Sequence, residues 1–433
     1  MSDALPLPPR PNLEQYKKLA KDFQSVCQSS GPGAVRRWAA LWAEKIARLQ
    51  GLEISPEVRR QIDADAERIE QSWRKLKEAN ERASECTAAG ARLFVARGHG
   101  FASWPKFAAH LRALARANSL VSKFEAAVDA IVSGDAESLE ELLRENPELA
   151  RARSTREHRS TLLHYVSANG VEDFRQKTPN NIIEIATLLL KAGADVNAES
   201  DAYAGRSTTL GLTATSCHPE NAGVQIPLME LLLDHGAIID GPDSGSAIVG
   251  CLHNGRGRAA EFFASRGARL DLEGAAGVGR LDAVKGFFND DGTLKPTATP
   301  KQMKDGFAWA CGFGRTSVVD FLLQSGMKAD AKLGDGGETG LHWAGLGGHP
   351  ETVKLLLEHG APIDAREETY HGTPLEWALY AWGNFPDRAE RRHYYEAVAL
   401  LVRAGAKLHL RWYEHDEDRR RAAEEMMLAA LRR

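Results

Sequence analysis

The sequence predicts an all-α fold in which short helix pairs stack into a solenoid behind an N-terminal helical module. Three observations predict it. An apolar run such as Leu-Leu-Leu, followed by Gly-Ala, recurs along the chain; a Thr-x-Leu-His pattern precedes several of these runs; and glycine or proline stands at the joints. Helix pairs this short cannot bury their apolar faces alone, so each pair needs a copy of itself on either side.

The clearest copy spans residues 338–364. Thr339 is placed to cap a first helix, Gly347-Gly348 to end it, and Pro350 fits the first turn of a second helix. Gly360 ends this second helix in a conformation that costs glycine least. Its apolar stripe falls at helical spacing on Val353, Leu356 and Leu357.

Further copies continue in both directions from this one. The Thr-x-Leu-His start returns at Thr161–His164, and the second-helix pattern returns at Leu188–Leu190, Leu231–Leu233, Phe262–Phe263, Phe321–Leu323 and Leu400–Leu401. This pattern resembles the ankyrin repeat, which has a period of roughly 33 residues and a Thr-Pro-Leu-His-x-Ala signature. The resemblance begins near Phe124 and implies about seven units. A fold of this kind does not by itself fix a function.

Helix starts and apolar spacing predict the module that precedes the repeats. Asn12 is placed to cap a first helix, and Ser55-Pro56 begins a long helix that reaches Ala89. Apolar residues in the long helix alternate by four and three, as in helices that pack side by side. We expect this Ile62–Ala83 seam to close within a helical hairpin or bundle; the alternative is an oligomer formed through it. The seam consists of Ile62, Ala66, Ile69, Trp73, Leu76, Asn80 and Ala83.

The module resembles the start of a group of bacterial ankyrin-repeat proteins. These begin with Leu-Glu-x-x-Lys-Lys-x-Ala-Lys, here Leu13–Lys21, and reach their repeats through Gly-Phe-x-Ser-Trp-Pro, here Gly100–Pro105. With the helix pattern, this implies a helical module over 1–118, a solenoid over 119–409 and a C-terminal capping helix over 410–433. We expect an aromatic cluster to join module and solenoid: Phe101, Trp104 and Phe107.

Charge and composition exclude several classes of partner. A net charge of −4 over 433 residues favours neither nucleic acid nor an anionic membrane. No apolar run approaches the roughly 20 residues that cross a bilayer, and the first residues lack the apolar core of a signal peptide. Five scattered cysteines predict reduced thiols in a cytoplasmic protein rather than disulfides or a zinc site. They are Cys27, Cys86, Cys217, Cys251 and Cys311.

Departures from the repeat pattern predict a binding surface. The unit over Asp201–Asp240 is rich in hydroxyl groups, and Trp309 and Trp343 stand at the same place in later units. In arrays of this kind, first helices and turn tips line a concave face that usually binds. We expect contacts there from Tyr203, Thr208, Thr209, His218, Asn221, Gln225, His253, Asn254, Arg256, Trp309 and Trp343.

Several titratable residues invite a chemical role. His164 and His342 stand in the repeat signature, where the imidazole normally bonds within the repeat, so we expect them to be structural. His218, His253 and Glu273 are the candidates for acid–base catalysis. A reactive cysteine at Cys217 or Cys251 would need a lowered thiol pKa. The sequence shows no metal-ligand spacing and no phosphate loop, so we expect no metal and no cofactor.

Two functions remain open from the sequence. The first is a cytoplasmic protein that recognises a protein or peptide through its concave face, around residues 208–225. The second is an enzyme that holds a small polar substrate in a concave-face pocket lined by Thr208–Gln225, His253, Trp309 and Trp343. An open groove would favour binding, and a deep closed pocket would favour catalysis.

Overall fold

A computed structural model describes residues 4–8, 10–29, 31, 33–79, 81, 85–241, 245–384, 391–407 and 417–432. The chain forms two compact units, Met1–Ile238 and Ile239–Arg433. The fold is mostly helical with repeated helix pairs, as the sequence predicts. The division between these units lies within the predicted solenoid, and the module boundary at residue 118 stays a prediction. No helix in the described ranges is long and apolar enough to span a membrane.

The first unit begins with five helices and continues with paired helices. The N-terminal module contains α1 (Leu13–Gln28), α2 (Ala34–Leu49), α3 (Pro56–Glu78), α4 (Ala88–Gly98) and α5 (Trp104–Leu114). The repeats follow with α6 (Leu120–Ser133), α7 (Ala136–Glu145), a 3-10 helix over Leu162–Ser167, α8 (Ile182–Lys191), α9 (Thr209–Thr215), α10 (Cys217–Asn221) and α11 (Gln225–Asp234). A short antiparallel ribbon, β1 (Glu199–Ser200) with β2 (Ser207–Thr208), joins two of the pairs.

Aromatic packing holds the N-terminal module together. Phe23 of α1 is fully buried, and its ring centroid lies 4.6 Å from that of Trp38, 5.1 Å from that of Trp73 and 4.5 Å from that of Phe94. Four helices therefore meet at one ring. Phe101 and Phe107 of the predicted aromatic cluster are also fully buried.

The predicted seam lies inside this module. Four of its residues are buried, and they pack on α1, α2 and α4: Ile62, Ala66, Ile69 and Trp73. The structure thus places this face against the chain's own helices. Asn80 and Ala83 lie outside the described residues. The long helix ends at Glu78 instead of reaching Ala89, because Thr87 caps a new helix by accepting from Gly90 N at 3.1 Å.

The prediction of five reduced cysteines is wrong for two of them. Cys27, at the end of α1, and Cys86, just before α4, form a disulfide with a Cα–Cα distance of 5.5 Å. Cys217, Cys251 and Cys311 are free thiols. The pair escapes sequence reasoning because its sequence separation of 59 leaves no local spacing to recognise.

A buried ionic network joins α6 to residues 171–179, the segment that precedes α8. Arg156 contacts Glu125 at 2.7 Å and Glu172 at 2.8 Å, and Arg175 contacts Glu125 at 2.7 Å. Burial would raise the pKa of Glu125, but the two guanidinium groups hold it at about 2. Residues 171–179 supply Glu172 and Arg175 and are therefore part of the packed structure.

The described residues of the second unit form five helix pairs and a last helix. Its first helices are α12 (Ala247–His253), α14 (Leu272–Gly277), α16 (Pro300–Gly312), α18 (Gly340–Leu346) and α20 (Pro374–Asn384). Its second helices are α13 (Gly257–Ser265), α15 (Leu281–Lys285), α17 (Thr316–Gln324), α19 (Pro350–Glu358) and α21 (Arg391–Arg403). The predicted cap is α22 (Glu417–Arg432), which buries Ala423 and Met426. Residues 410–416 of the predicted cap, and residues 385–390 and 408–409 of the predicted solenoid, lie outside the described residues.

Candidate functional site

A row of large aromatic side chains follows the first helices of the second unit. Trp309 of α16, Trp343 of α18 and Trp377 of α20 occupy the same place in successive repeats, and each is half-buried. Neighbouring ring centroids are 5.6 Å apart in both pairs, with interplanar angles of 63° and 80°. We call these three residues the tryptophan row. Because each ring meets the next edge to face, the row presents both ring faces and ring edges.

A carboxylate stands at one end of the tryptophan row. The Trp309 indole N–H donates to Glu273 Oε1 at 2.9 Å, and His253 Nε2 lies 3.2 Å from the same oxygen. The Glu273 side chain is only 10 % exposed, whereas that of His253 is 56 % exposed. The His253 ring also lies edge-on to Trp309, with centroids 4.9 Å apart. Three successive first helices thus contribute to one polar and aromatic cluster.

Two glycines allow α14 and α16 to approach closely enough for this contact. A Cβ atom on Gly306 would lie 2.9 Å from the Ala276 Cβ and 3.2 Å from the Glu273 Cα. A Cβ on Gly277 would lie 2.4 Å from a methyl group of Leu252 and 3.1 Å from the Trp309 Cβ. The contacts of 2.9 Å and 2.4 Å are shorter than Cβ atoms tolerate, and the other two are unusually tight. The absence of a side chain at these two positions therefore serves tight helix packing.

The signature histidines are structural, as predicted. In each case the backbone N–H of the threonine donates to Nδ1 of the histidine at 3.1 Å, for Thr161 with His164 and Thr339 with His342. With Nδ1 an acceptor, Nε2 carries the proton and donates to a carbonyl of the next unit. These acceptors are Ser207 O at 3.1 Å and Gly372 O at 3.2 Å. Burial lowers the pKa of both imidazoles.

The predicted contact residues of the first unit divide into exposed and buried groups. Tyr203 is 64 % exposed, and its hydroxyl donates to Asn169 Oδ1 at 2.7 Å. Thr208 caps α9, while His218 is half-buried and Asn221 exposed on α10. Tyr203 also has φ of +49°, a conformation that L residues seldom adopt and that often marks functional loops.

Thr209 and Gln225 face the interior instead. Thr209 is fully buried, and the Gln225 amide nitrogen donates to three backbone carbonyls at 3.0–3.2 Å. Those carbonyls belong to the end of α9 and to the residue that follows it. The Gln225 amide thus bonds the end of α9 to the start of α11. Their burial gives both side chains a packing role, and a partner has no access to them in this conformation.

The remaining predicted residues lie on the second unit. Asn254 is exposed and its amide donates to Gly250 O at 2.9 Å, whereas Arg256 is half-buried. Burial raises the pKa of the Cys251 thiol to about 12, so this cysteine is not an activated nucleophile. Among the described residues, no three His, Cys, Asp or Glu side chains are grouped to hold a metal ion.

Sequence reasoning missed part of the cluster. Trp377 is missing from the predicted contacts because the repeat that contains α20 begins Thr373-Pro-Leu-Glu376. This start departs from the histidine signature. Its position relative to that threonine matches Trp343, which is the signal that could have found it. Glu273 was named only as a catalytic candidate, since its hydrogen bond to Trp309 depends on packing between two repeats.

A match to a known protein family supports the repeat architecture of part of the chain. A family model described as ankyrin repeats (3 copies) matches residues 307–411. The crystal structure of human ASB11 ankyrin repeat domain is similar at 19 % sequence identity and a TM-score of 0.32, covering 65 % of this chain and 99 % of that chain. No curated protein matches the sequence. Residues 307–411, which carry Trp309, Trp343 and Trp377, are ankyrin repeats.

Proposed function

We propose that this chain is a binding protein that recognises a protein or peptide segment along the tryptophan row. One observation carries the proposal: three tryptophans recur at one place on successive first helices and remain partly exposed beside a hydrogen-bonded carboxylate. Tryptophan is enriched at the energetic centres of protein interfaces, because a large rigid ring buries much apolar area at small entropic cost. Ankyrin repeats use the surface of their first helices for such contacts.

Packing alone is the competing explanation for the row. Purely structural tryptophans would be enclosed, whereas each of these three residues is half-buried. The position directly after each tryptophan is fully buried and holds an alanine: Ala310, Ala344 and Ala378. The repeat core therefore does not require an indole ring, and the recurring tryptophan is better explained by a surface that contacts a partner.

A selection from a random peptide library tests the proposal. Wild-type protein should enrich peptides that bind less well to Trp343→Ala by at least about tenfold, the equivalent of 1.4 kcal/mol. Tyr203→Ala and His218→Ala serve as matched variants on the surface that the sequence favoured. Loss of binding in these two, but not in Trp343→Ala, would move the site to residues 208–225. Enrichment that none of the variants changes, or no enrichment at all, would refute the proposal.

An enzyme is the second candidate, favoured by the contact between His253 and Glu273. If His253 donates through Nε2 to the carboxylate, its Nδ1 is left as an exposed base, the arrangement that orients an imidazole in general-base catalysis. Hydrolysis of para-nitrophenyl acetate or para-nitrophenyl phosphate tests this candidate. Turnover that is lost in His253→Ala but kept in His218→Ala would support it; equal background rates in all three proteins would reject it.

The proposed compartment is the cytoplasm, because three of the five cysteines are free thiols and two of these are buried. The Cys27–Cys86 disulfide weighs against this, since such bonds persist mainly in oxidising compartments. Maleimide labelling distinguishes the cytoplasm from an oxidising compartment. The protein is taken directly from cells, unfolded in acid and labelled without reductant. Five labelled thiols would support the cytoplasm, and three would indicate an oxidising compartment.

A further inference from the structure

Acidic side chains lie at the Trp309 end of the tryptophan row. Lys301, at the start of α16, is 82 % exposed and its ammonium pairs with the Asp305 carboxylate. The hydrogen bond and charge of Asp305 raise the pKa of Lys301, and Glu273 and Asp335 raise it further. Lys301, Asp305 and Trp309 are spaced by four residues and so share one face of the helix. Lys301 therefore pairs with a carboxylate on the face of α16 that also carries Trp309.

Glu273 has one oxygen available for a further donor. Its two hydrogen bonds, from Trp309 and from His253, both go to Oε1. Oε2 accepts none from the residues that the structure describes. A largely buried carboxylate gains most from a charged donor, because a charge-assisted bond is roughly twice as strong as a neutral one. The missing donor is therefore best supplied by a cation.

The rings beside Glu273 suit the same kind of group. A cation is attracted to the face of an indole within about 6 Å of its centre, and tryptophan gives the strongest such attraction. Because Trp309 and Trp343 meet at 63°, a flat group lying on one ring face meets the edge of the other ring. A guanidinium can stack on a ring and donate several hydrogen bonds at once, which an ammonium cannot do.

We infer that the partner segment carries a basic side chain, arginine before lysine, which lies on Trp309 and Trp343 and donates to Glu273 Oε2. This inference rests on the proposed function and adds the chemistry of the recognised residue. Lys301 is a competing cation on the same face of α16, because its ammonium pairs with Asp305, four residues before Trp309. Removal of Glu273's charge and removal of Lys301 therefore have opposite effects on binding.

Nuclear magnetic resonance of the full chain with ¹⁵N-labelled tryptophan tests the inference. The probes are Nα-acetyl-arginine methylamide and its uncharged counterpart Nα-acetyl-citrulline methylamide. The arginine probe should shift the indole signals of Trp309 and Trp343 and bind at least about tenfold more tightly than the citrulline probe. Equal binding of the two probes, or no shift with either, would overturn the inference.

Three variants test whether affinity for the arginine probe changes in the expected direction. Glu273→Gln keeps the shape and the Oε1 acceptor and should weaken the arginine probe about tenfold. Lys301→Ala should strengthen it about threefold; this residue is so exposed that folding is not at risk. Asp282→Asn is the matched control, an exposed acid paired with Arg280, and should change nothing. An unchanged affinity in both Glu273→Gln and Lys301→Ala would contradict the inference.

The outcome is separable from that of the proposed function. Peptides that depend on Trp343 but carry no basic residue, and that bind Glu273→Gln as well as wild type, would keep the proposed function and reject the basic side chain. Absence of any Trp343-dependent peptide would reject both. The indole spectrum shows whether Glu273→Gln folds. If it does not, the affinity of Lys301→Ala for the arginine probe and the comparison of the arginine and citrulline probes still test the inference.

Discussion

The indole N–H of Trp309 donates to Glu273 Oε1 at 2.9 Å, across two successive first helices of the second unit. This bond requires α14 and α16 to lie so close that Gly306 nearly touches the backbone of Glu273. The polar end of the tryptophan row is therefore set by helix packing and not by the two side chains alone. The same packing fixes which oxygen of Glu273 is left for a partner.

Gly306→Ala should separate the two helices. Its new methyl group would meet Ala276 and the Glu273 backbone, which cannot rotate away, so we expect a loss of about 1–3 kcal/mol in stability. Selected peptides should also bind more weakly, because Glu273 moves from Trp309. Urea unfolding and peptide titration measure the two effects.

Gly250→Ala is the matched control for this substitution. Gly250 lies within α12, and a Cβ atom there would have no neighbour within 4 Å. Alanine should therefore stabilise the helix by up to about 1 kcal/mol through its better helix propensity. Equal effects at both glycines would contradict the role given to the close approach at Gly306.

Local sequence signals were sufficient to predict the repeated helix pairs. Caps, glycine stops and apolar spacing act within about ten residues, and they locate α18 and α19 almost to the residue. The signature histidines are predictable for the same reason, because His342 bonds to Thr339 three residues earlier. Two members of the tryptophan row were found through their shared place in the repeat.

Features that depend on distant residues were not predictable. Glu125 and Arg175 are 50 residues apart, and each looks like an ordinary surface residue until the chain folds. The Cys27–Cys86 pair is separated by 59 residues, and five scattered cysteines give no reason to select these two. The burial of Gln225 likewise follows from α9 ending at Thr215, a boundary that a threonine-rich helix does not reveal.

Arg156→Met should strongly destabilise the first unit. The substitution leaves Glu125 and Glu172 buried with Arg175 as the remaining guanidinium, and an uncompensated buried charge costs about 3–5 kcal/mol. Arg144→Ala is the control, since its pair with Glu141 is exposed on both sides and should matter by less than about 0.5 kcal/mol. Hydrogen exchange of the α6 amides measures both. A loss below 1 kcal/mol in Arg156→Met would show that the network is not needed for stability.

Reduction of the disulfide should loosen the contact between α1 and α4. Closing a loop of 59 residues stabilises a folded protein by about 4 kcal/mol in the chain-entropy description. Cys27→Ser should therefore lower the melting temperature of the first unit, and added reductant should then have no further effect. Cys217→Ser, at a free and half-buried thiol, should leave the response to reductant intact. Wild-type protein that melts equally with and without reductant would contradict this expectation.

Buried histidines should make the first unit sensitive to mild acid. Burial lowers the pKa of His99 from 6.5 to about 3 and that of His110 from 6.5 to about 4. The folded state therefore favours the neutral rings. Their contribution to stability is fully present above pH 6.5 and is lost as the pH falls, with a slope near 1.4 kcal/mol per pH unit for each ring.

The histidines and the carboxylates lose their contributions to stability over different pH ranges. The lowered pKa of Glu125 contributes stability above its unfolded value of 4.5, which is lost only as the pH falls from there towards 2. Between pH 6.5 and 5 the histidines alone should therefore govern the change. His99→Phe loses the bond to Leu5 O and should be less stable at pH 7, yet its slope in this range should be shallower by about 1.4 kcal/mol per pH unit. Hydrogen exchange of the α5 amides at pH 7, 6 and 5 measures that slope, and a slope equal to that of wild type would show that His99 is not held neutral by the fold.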